Sequence, residues 1–246
     1  MNFYTLQWGL KYGAHYVNRL YGSLKKHYHK PFTLTCYTDQ ADPQFREEIQ
    51  VADIKDLRKF NTDRVFTYEK LILMEKHETG VWLDLDILIH DDITCMADDP
   101  ADFKMIWNHW NPYWFKSQKW YGKGVSCHVN SSFVKWNNPE WLIKFTNDNW
   151  EKIEWTYKSL DKYLFYQHAR LDRLKYWDEG LVHNYNVGNH FATDRKATFK
   201  KLPGKVVIFN TSHKATNKGI TDVLLELHEA DFRVTYIWEG YDKHRQ

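Results

Sequence analysis

The stretch from Val81 to Ile89 (Val-Trp-Leu-Asp-Leu-Asp-Ile-Leu-Ile) is an apolar run interrupted by two carboxylates, Asp84 and Asp86. A run of this length, apolar on both faces away from the acids, reads as a buried strand of a parallel sheet. An ionised carboxylate inside such a strand is costly unless something compensates its charge. Side chains alternate along a strand, so an unbroken strand points Asp84 and Asp86 the same way, roughly 6 to 7 Å apart. A divalent cation can engage both if the strand ends there. The run predicts a metal site at a strand's carboxyl end, with Asp84 and Asp86 as ligands.

The flanking pattern supplies the rest of an α/β unit. Phe3 to Trp8 reads as a first strand, 9–13 as a turn, and Ala14 to His27 as a helix with Tyr16, Val17, Leu20 and Leu24 at helical spacing. Phe32 to Tyr37 reads as a second strand ending at Thr38-Asp39. Phe66 to His77 reads as a helix that Gly80 stops ahead of the Asp-bearing strand. Strand and helix alternate through the first 90 or so residues, which predicts a mostly parallel central sheet with helices on both faces. Ligands of such sheets bind beyond the carboxyl ends of the strands, where Trp8, Asp39, Asp84 and Asp86 fall. The second half is less regular. Trp107 to Tyr121 is rich in Trp and Tyr without a period and predicts an irregular lobe; Trp141 to Tyr176 reads as mostly helical. Val206 to Phe209 reads as a short strand, and Asp222 to His228 as an amphipathic helix before a basic, aromatic tail. The 246 residues fit one domain, with a first half of about 1–100 and a second of about 101–246.

Composition narrows the partners. A formal net charge of +2 is far from that of a sequence-independent duplex binder, so nucleic acid is not expected. Cys36, Cys95 and Cys127 are widely spaced without a CxxC, which predicts buried thiols in a reducing compartment rather than disulfides or structural zinc. The N-terminus lacks a charged and then apolar leader, and no stretch reaches the 18 or so apolar residues of a membrane span, so a soluble cytoplasmic protein is expected. That leaves room for peripheral membrane contact. Aromatic residues make up 17% of the chain, twelve of them Trp, more than a core requires and suited to stacking on sugar rings.

Several segments together resemble a known family. Trp8-Gly9-x-Lys11-Tyr12-Gly13-x-x-Tyr16-Val17-Asn18-x-Leu20-Tyr21, Cys36-Tyr37-Thr38-Asp39, Lys70 in Tyr68-Glu69-Lys70-Leu71, the Asp84-Leu85-Asp86 run and Asn130-Ser131-Ser132-Phe133-Val134-Lys135-Trp136 occur in the order found in nucleotide-sugar glycosyltransferases. The chain resembles the GT-A fold members of that class, a small bacterial and phage branch similar to the glycogenin and galactosyltransferase-like families. The resemblance implies a metal-dependent hexosyltransferase that moves a sugar from a UDP- or GDP-linked donor to a hydroxyl of a glycan or glycolipid. It implies that Mn2+ or Mg2+ sits on Asp86 and Asp84, stabilising the departing diphosphate. Trp8, Lys11 and Tyr12 would wrap the nucleotide, with Asp39 accepting a hydrogen bond from the base. Lys70 and Lys214 would touch the diphosphate, and Asn130 and Ser131 would hold the donor sugar.

This sequence also departs from the family's pattern. The usual third metal ligand is a His in an apolar-His-Gly context; here Asn210 stands at that position and His213 lies three residues on. The family's Asp-Gln-Asp near the reacting carbon is Asp161-Lys162-Tyr163, so only Asp161 carries over. His183 is a further polar candidate on the acceptor side. The Trp107–Tyr121 lobe and the Phe232–Tyr241 tail are the expected acceptor contacts. Two other readings accommodate the Asp pair. One is a haloacid-dehalogenase-like phosphohydrolase with Asp84 as nucleophile, although Ile87-Leu88 stands where Gly-Thr would follow. The other is a non-catalytic carbohydrate-binding protein whose Asp pair holds a structural ion.

Overall fold

The computed structural model describes residues 1–9, 12–57, 68–108, 127–157, 159–169, 173–184 and 204–208. In chain order its elements are β1 (Asn2–Gln7), α1 (Ala14–His27), β2 (Thr33–Thr38), β3 (Gln50–Asp53), α2 (Glu69–Lys76), β4 (Thr79–Leu83), β5 (Ile87–Ile89), α3 (Thr94–Ala97), β6 (Phe103–Trp107), β7 (Val129–Asn137), α4 (Glu140–Asp148), α5 (Trp150–Thr156), α6 (Leu160–Tyr163), β8 (Lys175–Tyr176), β9 (Val182–Asn184) and β10 (Val206–Ile208). The central sheet has the order β3-β2-β1-β4-β7-β6-β8. β3, β2, β1 and β4 run parallel, β7 is antiparallel to both its neighbours, and β8 is parallel to β6. Only β7 opposes the common direction, so the sheet is mostly parallel, as the alternation of elements predicts.

Successive residues of the central strands enter different layers. Phe3, Val81, Leu83 and Phe133 join the Tyr16, Val17, Leu20 and Leu24 stripe of α1. Tyr4, Trp82, Val134 and Trp136 instead pack with Leu71–Met74 of α2 and with Leu142, Ile153 and Leu160 of α4 to α6. The central strands β1, β4 and β7 are therefore covered on both faces, whereas β2 alternates Thr with Leu and Cys and the edge strand β3 is mostly exposed.

The Val81–Ile89 run does not form one strand. β4 ends at Leu83, residues 84–86 make a turn, and β5 belongs to a second, three-stranded sheet, β5-β10-β9. Both halves of the run are buried, because each strand is covered in its own sheet. An unbroken apolar pattern cannot reveal where a chain passes from one sheet to another. Gly80 likewise does not stop a helix. α2 ends at Lys76, where the extended His77 donates its N–H to the Leu73 carbonyl (2.9 Å). Gly80 sits inside β4 opposite Trp136 because the Trp136 ring lies over it. A Cβ there would stand 2.5 Å from Trp136 Cζ2 and 2.7 Å from Tyr4 Cε2. Trp136 is pinned by its Nε1–H bond to the His77 carbonyl (2.7 Å), and both rings are buried. Gly80→Ala is expected to cost about 1 to 3 kcal/mol as an overpacked core, lowering Tm by roughly 3 to 10 °C in a thermal melt.

The region from Trp141 to Tyr176 is helical only in short pieces, α4, α5, α6 and a π turn at Leu164–His168, and it returns to strand at β8 on the edge of the sheet. The three cysteines are unpaired, but Cys95 is exposed rather than buried, while Cys36 is buried and Cys127 partly so. Burial pushes the Cys36 and Cys127 thiols up to about 12, so neither is an activated nucleophile. No helix among the described residues is long and apolar enough to cross a membrane.

Candidate functional site

The carboxyl ends of β1, β2 and β4 converge, and each carries a polar anchor. Gln7 and Thr38, the last residues of β1 and β2, are register partners whose side chains hydrogen-bond (2.5 Å). The amide of Gln7 also donates to the Tyr12 carbonyl (3.0 Å), drawing residue 12 back toward the strand end. Gly9 adopts φ +59°, a backbone geometry that favours glycine, and its N–H donates to both Asp39 carboxylate oxygens (3.2 and 3.1 Å). Asp39 is thus an anchor for the loop after β1. Trp8, one residue past the strand, is 43% exposed at this mouth, an aromatic surface available for stacking. Lys11 lies outside the described residues.

β4 leads into the Asp84–Asp86 turn. The Asp84 N–H donates to the Ser132 carbonyl (2.9 Å), extending the β4–β7 ladder by one residue. Its carboxylate Oδ1 accepts from Trp82 Nε1 (2.5 Å) and pairs with Lys70 Nζ (2.9 Å). Lys70 is only 7% exposed, lies over the Trp82 ring (5.0 Å), and donates to both the Ser131 carbonyl (2.7 Å) and the Ser131 hydroxyl (3.0 Å). The charge that the apolar run leaves to be compensated at position 84 is therefore met by Lys70. The sequence carries one signal for this. Lys70 shares a helical face with Leu73 and Met74, three and four residues on, a core-facing place that a solvated Lys does not take.

Behind Ser131 stands Asp161. Its Oδ1 accepts the Ser131 N–H (3.1 Å). Burial pushes its carboxyl above the usual carboxylate range; Lys70 and the Ser131 hydrogen bonds oppose the rise, and the Asp84 charge adds to it. Asp161 does not cap α6, because the cap is Ser159, whose hydroxyl accepts from the Lys162 N–H (3.4 Å). Asn130 Oδ1 accepts from the Ser132 N–H (2.8 Å), fixing the side chain on the same short segment. Asp84, Lys70, Ser131 and Asp161 form one continuous polar chain, three of whose members come from different helices and strands. The sequence reading singles out all four residues but not the ion pair that links them.

The second sheet bears on the same corner. β10 runs antiparallel to β5 with Ile208 opposite Ile87, and Asn184 lies beside Ile208. β10 therefore ends next to the Asp84–Asp86 turn. Asn210, His213 and Lys214 follow it and lie outside the described residues, as do most of the Trp107–Tyr121 lobe and the whole Phe232–Tyr241 tail. His183 directs its ring toward the Gly180 carbonyl (3.3 Å), at the opposite end of β9 from Asn184. A cavity of about 470 Å³ lined by His15, Arg19, Lys26 and Arg46 runs along α1 and shares no residue with the polar chain.

No protein-family model matches the sequence, and no curated protein matches it. Solved structures do. The galactosyltransferase LgtC, crystallised with donor and acceptor sugar analogues, superposes with a TM-score of 0.59 at 16% identity, over 92% of this chain and 95% of that one. The glycosyltransferase GlyE of Streptococcus pneumoniae gives a TM-score of 0.54 at 13% identity, over 99% of this chain and 63% of that one. Mouse xyloside xylosyltransferase 1 gives 0.51 at 11% identity, over 86% and 98%. The chain has the GT-A glycosyltransferase fold. In this fold the polar chain sits at the carboxyl edge of the parallel strands, where α/β sheets bind their ligands.

The donor set at the turn suits a hard cation. Asp84, whose Oδ1 pairs with Lys70, shares the turn with a second carboxylate, Asp86. Among the described residues no group of three or more His, Cys, Asp or Glu side chains is arranged to enclose a metal. Two carboxylates are nonetheless what Mg2+ or Mn2+ commonly takes from a protein when substrate phosphates supply the rest.

Proposed function

We propose that the protein is a metal-dependent glycosyltransferase of hexosyltransferase type, moving a sugar from a UDP- or GDP-linked donor to a hydroxyl of a glycan or glycolipid. The observation that carries this reading is the Asp84–Lys70–Ser131–Asp161 chain, with Lys70 and Ser131 buried, at the carboxyl edge of a GT-A sheet. Asp86, with the carboxylate of Asp84, would hold Mn2+ or Mg2+; when bound, the ion supplies positive charge against the diphosphate as its bond to the sugar breaks. Lys70 aims Asp84 by an ion pair and also orders Ser131. Trp8, with the loop that Asp39 anchors, offers a face and backbone groups to the nucleotide. Asn130 and Ser131 lie beside Asp161, whose raised pKa suits a group that takes a proton from an acceptor hydroxyl. His183 and the aromatic lobe are assigned to the acceptor side. Lys11 and Lys214 are assigned to the nucleotide and diphosphate, and Asn210 or His213 to a third metal position. The unpaired cysteines support a reducing, cytoplasmic setting.

A panel of UDP- and GDP-sugars incubated with the protein and Mn2+ tests the reading. Release of the nucleoside diphosphate is expected, lost on chelation of the metal. Release of orthophosphate that Asp84→Asn abolishes, without nucleoside diphosphate, would replace the proposal with a phosphohydrolase. No product from any donor would leave a carbohydrate-binding protein as the better account.

A further inference from the structure

We propose that Tyr163 and His168 are positioning residues for Asp161, holding the single-turn helix that carries it through a hydrogen-bond chain of fixed direction. Thr146 Oγ1 is 2.7 Å from the Leu142 carbonyl, which can only accept, so the hydroxyl proton of Thr146 is committed there. Thr146 Oγ1 therefore accepts from the Tyr163 hydroxyl (2.8 Å), and the Tyr163 oxygen in turn accepts from His168 Nε2 (2.9 Å). This order fixes the tautomer as Nε2–H and leaves Nδ1 without a proton. His168 Nδ1 is buried and has no hydrogen-bond partner among the described residues. The ring is boxed edge-on by Trp141, Phe145 and Tyr163, with centroids 5.1, 5.2 and 5.0 Å away.

The local backbone makes the pair meet. Residues five apart on an α-helix diverge by about 140°, so Tyr163 and His168 would face apart on a regular helix. The π turn at Leu164–His168 brings them together. α6 is short, capped by Ser159 at one end and running directly into the π turn at the other, so the contacts of its side chains weigh heavily in its placement. Asp161 lies two residues before Tyr163, so the grip on Tyr163 sets where the Asp161 carboxylate meets the Ser131 N–H. The Ser131 N–H itself is taken up by Asp161 rather than by a neighbouring strand: the pairing of β7 with β6 reaches Asn130, and its ladder with β4, extended by the Asp84 N–H, reaches only the Ser132 carbonyl.

The clamp is acid-sensitive. Burial pushes His168 down to about 4 from 6.5, with Arg173 adding to the shift. Asp102 accepts from Trp141 Nε1 (2.9 Å) on α4 but makes no contact with the imidazole. The unfolded chain takes up a proton below about 6.5 that the folded chain refuses until about 4, so stability held by neutral His168 is present above 6.5 and lost as pH falls toward 4.

The test uses the full chain labelled with 15N and needs neither nucleotide nor turnover, so it can fail separately from the glycosyltransferase reading on which the role of Asp161 rests. At pH 7 the His168 ring should show a protonated Nε2 and a bare Nδ1, unchanged at pH 5.5. Hydrogen exchange at the Ser131 amide should be at least about fivefold faster in Tyr163→Phe than in the parent, the size set by one lost hydrogen bond. The Cys36 amide in the parallel core should be unaffected. If Tyr163→Phe does not fold, the parent alone decides: Ser131 protection, corrected for intrinsic rates, should fall between pH 6 and 4 ahead of Cys36. An Nδ1–H tautomer, or Ser131 exchange indifferent both to the variant and to acid, would overturn the clamp. Where turnover is found, Tyr163→Phe should lower kcat and leave the donor KM in place.

Discussion

Lys70→Met is expected to destabilise the protein by about 2 to 3 kcal/mol, a fall in Tm of roughly 4 to 12 °C. Methionine fills much the same volume, so packing against Trp82 survives and the loss isolates the charge. Lys70 is the cation against Asp84 (2.9 Å) and the donor to both oxygens of Ser131. Without it, Asp84 keeps one neutral donor, the Trp82 indole, and faces the Asp161 charge uncompensated. The Asp84 side chain is 30% exposed, so solvent screens part of the charge left behind and the loss falls below that of a fully buried pair. The deficit should narrow as pH falls from 7 toward 4, because Lys70 opposes the rise in the Asp161 pKa and its removal lets Asp161 protonate at higher pH. Adding Asp84→Asn to Lys70→Met should recover part of the stability, a coupling that a double-mutant cycle reads directly. A loss below about 1 kcal/mol, with no recovery in the double variant, would mean that this ion pair is not what holds Asp84 inside the sheet edge.

Asp86→Ala is expected to behave in the opposite way. Asp86 sits partly exposed in the turn between β4 and β5, so its removal should change stability by less than about 1 kcal/mol. In the proposed mechanism it is the principal ligand of the cation, and its loss should weaken metal-dependent nucleotide binding by at least about a hundredfold. Isothermal titration of UDP and GDP in Mn2+ checks this against the parent. Asp84 is thus tied to the fold through Lys70, while Asp86 is expected to matter chiefly to the cation. Equal destabilisation by substitutions at positions 84 and 86 would remove that distinction.

The sequence made some of this plain and hid other parts for definite reasons. The α1 stripe Tyr16, Val17, Leu20 and Leu24 is legible because one amphipathic face has one period, and all four residues are buried as expected. Of the strands, β4 is the plainest, since Val81, Trp82 and Leu83 are all apolar and buried. The break at Asp84–Asp86 is not, since β4 and β5 are each buried and hydropathy does not record a change of sheet. β3 is hard to read because it is four residues long and mostly exposed, β6 because a five-residue, mostly apolar run has no period that separates strand from buried helix even after the turn signal Asp98-Asp99-Pro100, and β8 because it is only two residues long. At the site, residue types in order located Lys70, Asp84, Ser131 and Asp161, but a one-dimensional pattern gives no pairing. The partner of Asp84 had to come from the packing of α2 on Trp82. The Tyr163–His168 contact depends on a π turn, which carries no periodic signature at all.

The central claim is that the carboxyl edge of the sheet binds a nucleoside diphosphate through a cation held by Asp86 and Asp84. Thermal unfolding with UDP or GDP at about 100 times the dissociation constant, with and without Mn2+, measures it in one experiment. The account predicts about 2.7 kcal/mol of added stability, a rise in Tm of several degrees, with one of the two nucleotides only when Mn2+ is present, and none in Asp86→Ala. Stabilisation that is the same with and without metal, or unchanged in Asp86→Ala, would contradict it.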